Sequence, residues 1–246
     1  MTSTPRSGRG GLIWAIAGGL VLIAGIVAIV VTTIMSQPTP SASPQPGETL
    51  DAPTPAATVT AEPDGEVVDS SVSARGWAPE PITIDPETYI RAALTAASTF
   101  DTTLSTREEW LDYLDTWFTL DTRYPEADRP ARMAAAKLEL RQGVILPQEQ
   151  WDSLANEDGR VVAAVTGAVS FVPVTEDPSG DMSIGTADVT LTFTRSDGGE
   201  GETFYDESVR VSVQVLCGPG STPTPGTAQQ AGDCKVVRYF TEPMEP

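Results

Sequence analysis

Residues 12–31 run for twenty positions without a charge, a proline or an amide side chain. A helix rises about 1.5 Å per residue, so a run of this length reaches about 30 Å, the thickness of a bilayer's hydrocarbon core. This rules out a chain that folds as one globule. The run predicts a transmembrane helix over residues 12–35, a short tail over residues 1–11 and the bulk of the protein on the far side. The tail carries Arg6 and Arg9 and no acid. Basic residues beside a span stay in the cytoplasm, so the N-terminus is expected inside and the rest outside the plasma membrane. A cleaved signal peptide would have a shorter apolar region, of about 7–15 residues, and a small-x-small cleavage site. Thr32, Thr33, Ile34, Met35 and Ser36 offer none, and no cysteine adjoins the run to carry a lipid. Ala15/Gly19 and Ala24/Ala28 are small residues four apart, a spacing that permits close helix packing but is common by chance.

Residues 36–81 are rich in Pro, Ser, Thr and Ala and poor in large apolar side chains. Such a segment buries too little apolar area to offset chain entropy, and is expected to be a disordered linker. About 45 such residues reach about 40 Å as a coil. Lys137 and Lys235 are the only lysines against thirteen arginines, and Asn156 is the only asparagine. This avoidance of AT-rich codons fits an exported bacterial protein of high-GC coding.

Residues 82–246 are one domain's worth of chain. Asp85, Pro86 and Glu87 form a helix start, and Tyr89, Ile90, Ala93, Leu94, Ala97 and Phe100 recur on one helical face. Thr106 and Glu109 make a capping box ahead of a second helix bearing Trp110, Leu111, Leu114, Trp117 and Phe118. Tyr124-Pro125 breaks it. A third, Ala-rich helix spans residues 129–142, with Gly143 suited to its C-terminal cap. Ile145, Leu146, Trp151 and Leu154 read as packing residues of a short connecting element.

Periodicity then switches to two. Residues 160–174 form a long strand with a bulge or bend at Gly167. Val189, Leu191 and Phe193 alternate with threonines in a second strand, and Val209, Val211, Val213 and Val215 alternate with polar residues in a third. Val237 and Tyr239 mark a fourth. Helices first and antiparallel strands after give an α+β fold, with about three helices on one face of a curved sheet of about four strands.

Cys217 ends the third strand and Cys234 precedes the fourth. With the domain outside the membrane this pair reads as a disulfide stapling the mouth of a long floppy loop. Structural zinc wants four Cys or His ligands, and the chain has two Cys and no His. A redox role wants a Cys-x-x-Cys pair.

The lack of histidine also removes Ser-His-Asp and Cys-His catalysis. No nucleotide-binding glycine loop occurs. A net charge of −19 argues against a nucleic-acid partner. Asp112 and Asp115, the group Glu200, Glu202, Asp206 and Glu207, and the Asp177/Asp181 turn are the remaining carboxylates of interest. They read as a solvated helix face and polar turns rather than as acid, base or cation sites. No catalytic, cofactor or metal site is therefore expected.

The order of these elements (basic tail, single apolar run, Pro/Thr linker, helices then strands) resembles a membrane-anchored member of the nuclear-transport-factor-two-like, or cystatin-like cone, superfamily. The resemblance covers about residues 82–241 plus the anchor and rests on architecture alone. It implies three helices packed into the concave face of a curled sheet. Bacterial proteins built this way include the bitopic assembly subunits of type IV secretion and conjugation machines and the Mce-associated proteins of lipid-import systems. The resemblance thus implies a non-enzymatic scaffold whose partners are other envelope proteins and which pairs with itself through its sheet. Soluble relatives are isomerases or dehydratases with a pocket in the cone, which is the alternative. A pocket lined by Asp or Tyr would favour that alternative, whereas a cone filled by Trp110, Trp117, Phe118 and Leu114 would favour the scaffold.

Overall fold

The structure is a computed structural model that describes residues 65–199 and 201–245. The apolar run, Arg6 and Arg9, and most of the linker lie outside these residues. Among the described residues no helix is long and apolar enough to cross a membrane.

Helix α1 (Pro86–Ala96) begins where the sequence places it. The Asp85 carboxylate accepts the Thr88 N–H at 2.8 Å, and Pro86 occupies the first turn. Its predicted face is buried at Tyr89, Ile90, Ala93 and Leu94. Phe100 departs from that face: it belongs to a two-residue strand β1 (Phe100–Asp101) that pairs with Val161 and Arg160. Helix α2 (Arg107–Asp115) carries the full capping box between Thr106 and Glu109. The bonds from Thr106, together with Arg75, lower the Glu109 carboxyl to about 2.

Trp117 and Phe118 are not in this helix, contrary to the periodicity. The helix ends at Asp115 in a turn over Thr116 and Trp117, and the backbone beyond it bonds to the last strand. Thr119 N–H donates to the Val236 carbonyl at 2.8 Å and Val236 N–H to the Trp117 carbonyl at 2.9 Å. Both aromatics still point inward. Helix α3 (Arg129–Gly143) keeps Gly143 as its last helical residue. The glycine is needed there because Thr241 lies against it, where a Cβ would collide. The expected connecting element is a fourth helix, α4 (Gln148–Ala155), anchored by buried Trp151 and Leu154. Eight residues are too few for helical periodicity to separate it from a loop.

The sheet is an antiparallel meander, β1-β2-β3-β4-β5, of five strands rather than four. Strands β2 (Arg160–Pro173), β3 (Met182–Ser196) and β4 (Glu202–Leu216) are long, and β5 (Lys235–Phe240) is short. The bulge predicted at Gly167 is present: the β2–β3 register shifts between Thr166 and Ser170, and Gly167 takes a left-handed φ of 72°. Helix α1 crosses β2, β3 and β4, and α3 lies against β5. The core fills the space between helices and sheet. On the opposite face the C-terminal segment crosses the sheet, where Met244 N–H donates to Ser212 Oγ and the Met244 carbonyl accepts from Thr186 Oγ1.

Two expectations about irregular chain are corrected. The linker was expected to run to residue 81, yet residues 66–81 form a strap folded onto the domain. Val67 pairs with Pro81, a 3-10 turn spans Ser70–Arg75, and Val72, Trp77 and Glu80 are buried. Trp77 supplies the reason, since it stacks on Tyr113 at 5.0 Å and donates Nε1–H to Ser105 Oγ at 2.8 Å. The loop over residues 218–233 is held in place rather than floppy. Ser221 and Gln229 are buried, and Thr222 N–H donates to Thr119 Oγ1 at 2.8 Å.

Candidate interaction surface

The concave side of the sheet is where a cone-shaped domain would hold a small ligand. Here it is filled. Trp110, Trp117, Phe118 and Leu114 are all buried, and Phe100, Trp110 and Trp151 stack within 5.5 Å of one another. Tyr89 and Tyr239 complete the packing. Tyr239 spends its hydroxyl on the Ala93 carbonyl at 2.9 Å. Burial pushes the phenols of Tyr89, Tyr113 and Tyr239 upward, with the Glu80 charge adding to it. Raised phenols are poor general bases at neutral pH.

One buried polar cluster crosses this interior. Glu80 Oε1 accepts from Tyr89 Oη at 2.5 Å, Lys235 Nζ at 2.8 Å and Gln229 Nε2 at 3.1 Å. Lys235 Nζ also donates to the Thr116 carbonyl and to Thr224 Oγ1. Desolvation lowers the Lys235 ammonium from its ordinary value, with Glu80 opposing the shift. Every donor hydrogen of the ammonium is engaged, so the cluster joins strap, α1, loop and β5. It is a fastening rather than a reactive group. Neither Glu80 nor Lys235 is signalled in the sequence: an isolated Glu in a Pro-rich stretch reads as linker.

The outward-looking part of the domain is the free half of β4. Strand β5 covers only residues 212–216. Residues 202–208 are exposed on both faces, including Phe204 at 76%. No described residue outside β3 hydrogen-bonds to the backbone of residues 202–211. Inward of this edge, on the concave side, runs a cleft of two adjoining cavities of about 300 and 350 Å³. Leu146, Phe193 and Glu207 belong to both. Tyr205 stacks on Phe193 at 4.9 Å, and Arg195 lies over the Tyr205 ring. The cleft is apolar and aromatic along Leu146, Leu191, Phe193 and Val209, with Gln150, Ser153 and Arg195 at its outer end and the Glu207 carboxylate on its rim.

The candidate residues of the sequence fare unequally. Cys217 and Cys234 are joined in a disulfide that closes the loop between β4 and β5. Arg6, Arg9 and Glu200 lie outside the described residues. Asp112 is exposed, while Asp115 pairs with Arg141 at 2.9 Å and Lys137 at 3.5 Å, so the two do not converge. Glu202 is bound by Arg160 at 2.7 Å and Asp206 by the Thr192 hydroxyl at 2.7 Å, whereas Glu207 faces the cleft. Asp177 closes its own turn through Ser179 and Met182 N–H. Among the described residues no group of three potential ligands is arranged to hold a metal.

No family model matches the chain, and no curated protein matches it. Two solved structures bear a partial likeness to the chain. One is an IcmL-like type IV secretion system protein from Legionella pneumophila, at 12% identity and a TM-score of 0.40, covering 63% of this chain and 88% of that one. The other is CagV, a VirB8 homolog of the type IV secretion system of Helicobacter pylori, at 16% identity and a TM-score of 0.28, covering 54% and 78%.

Proposed function

We propose that this protein is a single-pass scaffold of a cell-envelope complex. Its tail is cytoplasmic, its helix over residues 12–35 anchors it in the plasma membrane, and its α+β domain meets partner proteins outside. The observation that carries this reading is the packed centre of the cone: Trp110, Trp117, Phe118 and Leu114 are buried there and leave no central pocket lined by Asp or Tyr. What remains open to other molecules is an exposed strand and a cleft, which are surfaces for protein contact. Among envelope complexes, a secretion or conjugation machine suits the order of elements best: basic tail, apolar run, Pro/Thr linker, helices, then strands.

The test is co-purification of the detergent-solubilised full-length protein from its own membranes after mild cross-linking. Other envelope proteins should be recovered with it. A chain lacking residues 1–35 should keep its fold and lose them. Recovery of a lone monomer in both cases overturns the reading. Alkaline phosphatase fused behind residue 246 should be active, and activity only for an N-terminal fusion would reverse the orientation.

A further inference from the structure

We propose that the free edge of β4 is a strand-addition site for an extended, basic segment of a partner protein, whose inward side chains enter the cleft beside Glu207. The proposal rests on the scaffold reading for the existence of a partner, and on the geometry below for its chemistry.

The two outer edges of the sheet are built differently. The edge of β2 is interrupted by the Gly167 bulge, and Arg91 Nη2 caps the Gly167 carbonyl at 2.8 Å. Bulges and caps are how a sheet blunts an edge against pairing. The edge of β4 has neither. Its register with β3 is unbroken from Met182↔Leu216 to Ser196↔Glu202, and residues 202–211 are uncovered. At about 3.3 Å per residue this is about 33 Å of regular strand presenting outward backbone donors and acceptors.

Side chains set what can pair there. On the concave side stand Tyr205, Glu207 and Val209, in register with Phe193, Leu191 and Val189. An added strand would place alternate side chains beside these three and over the cleft floor. The neighbouring arginines are already committed: Arg160 to Glu202, Arg195 to Glu157, and Arg210 to Asp188 and Glu245. Asp206 has only the Thr192 hydroxyl, and Glu207 has no ion pair among the described residues. Two adjacent carboxylates on opposite faces thus await cations. The fitting segment carries consecutive Lys or Arg residues opposite Asp206 and Glu207, with apolar residues two positions to each side on the cleft face.

A second copy fits worse. Antiparallel self-pairing keeps each face on its own side, so the registers of greatest overlap set Asp206 against a second Asp206 or, one step along, Glu207 against a second Glu207. Like charges opposite one another on a sheet are destabilising. The occupant is therefore a different chain of opposite charge.

The test uses the full-length protein in detergent and a fluorescent peptide, Thr-Val-Thr-Arg-Lys-Val-Thr-Leu, with an otherwise equal peptide carrying Glu-Glu at its centre. Anisotropy should show saturable binding of the first and none of the second. Asp206→Arg with Glu207→Arg should weaken the basic peptide about tenfold and create affinity for the acidic one. Both residues are exposed, and an unchanged melting temperature checks the fold. Tyr205→p-benzoylphenylalanine should cross-link the basic peptide, while the same probe at Phe171 on β2 should not. No saturation by about 1 mM, or equal binding after the charge swap, overturns the proposal. So does a dimer that the charge swap dissociates, which would assign the edge to a second copy. Should envelope proteins co-purify equally with wild type and charge-swapped protein, the scaffold stands and this site falls. Should none co-purify with either, the scaffold reading falls by itself.

Discussion

Glu80 and Lys235 lie 155 positions apart in sequence and 2.8 Å apart in space, with side chains 0% and 1% exposed. Their contact brings the segment that leaves the linker to the start of the last strand, one residue past Cys234. An ion pair so buried does not by itself favour the fold, because two charges must leave water to form it. Breaking it is another matter, since the surviving charge keeps its desolvation and loses its partner.

Glu80→Leu and Lys235→Met should therefore each lower the unfolding free energy by about 3–5 kcal/mol. The double variant should lose less than the two singles added together. Urea denaturation of the four proteins measures the coupling. A strictly additive result would show that the two side chains contribute independently.

The raised phenols of Tyr89, Tyr113 and Tyr239 make a statement about alkaline pH. A group whose folded value lies above its unfolded value gives stability that is complete below the unfolded value and lost as pH rises past it. Free tyrosine ionises near about 10, so stability should fall above that pH. The lowered Lys235 acts the other way, adding stability as pH rises up to the free lysine value, and so leaves the fall above it to the phenols. Absorbance at the tyrosinate band should show these three of the five tyrosines ionising only with unfolding.

The Cys217–Cys234 bridge closes a loop with a sequence separation of 17. Cys217→Ser with Cys234→Ser should destabilise the domain by about 3 kcal/mol, as loop-closure entropy returns to the unfolded chain. Calorimetry with and without reductant measures it. Reductant should move the wild type toward the double variant and leave the variant where it was.

Gly185 on β3 lies directly under Ile90 of α1. A Cβ there would stand 2.6 Å from Ile90 Cδ1 and 2.8 Å from Val169 Cγ1. Gly185→Val should cost about 1–3 kcal/mol through overpacking. Gly199 in the β3–β4 turn meets only Asp197 Oδ1, at 3.2 Å, so Gly199→Ala should leave the melting temperature nearly unchanged.

Much of this fold was legible in the residues, and unevenly so. Helix starts were readable because a cap is a local device: Asp85, Pro86, Thr106 and Glu109 carry it within four positions. Strands β3 and β4 were readable because alternation over many residues leaves little ambiguity. Helix ends were not. Trp117 and Phe118 keep helical spacing, yet their backbone is claimed by Val236, more than a hundred residues away. The strap escapes a reading of the sequence for the same reason. Pro79, Glu80 and Pro81 look like linker until Lys235, Tyr89 and Gln229 surround the carboxylate. The disulfide was legible from two cysteines at a loop mouth. The β4 edge was not, because an edge is defined by the length of its neighbour, and β5 covers only its last five residues.

The strap also decides how the domain meets force. The chain enters at residue 66, where Val68 N–H holds the Glu80 carbonyl and Ile82 N–H the Glu66 carbonyl, each at 2.8 Å. A pull arriving through the linker opens these two bonds in succession, as a zip opens. It then reaches Trp77 in its slot and Glu80 on its ammonium, where several elements must yield at once. The corner should therefore yield in two stages, a weak one at the two backbone bonds and a strong one at Trp77 and Glu80. Stretching a single molecule from this end would register a small early lengthening well before the sheet gives way.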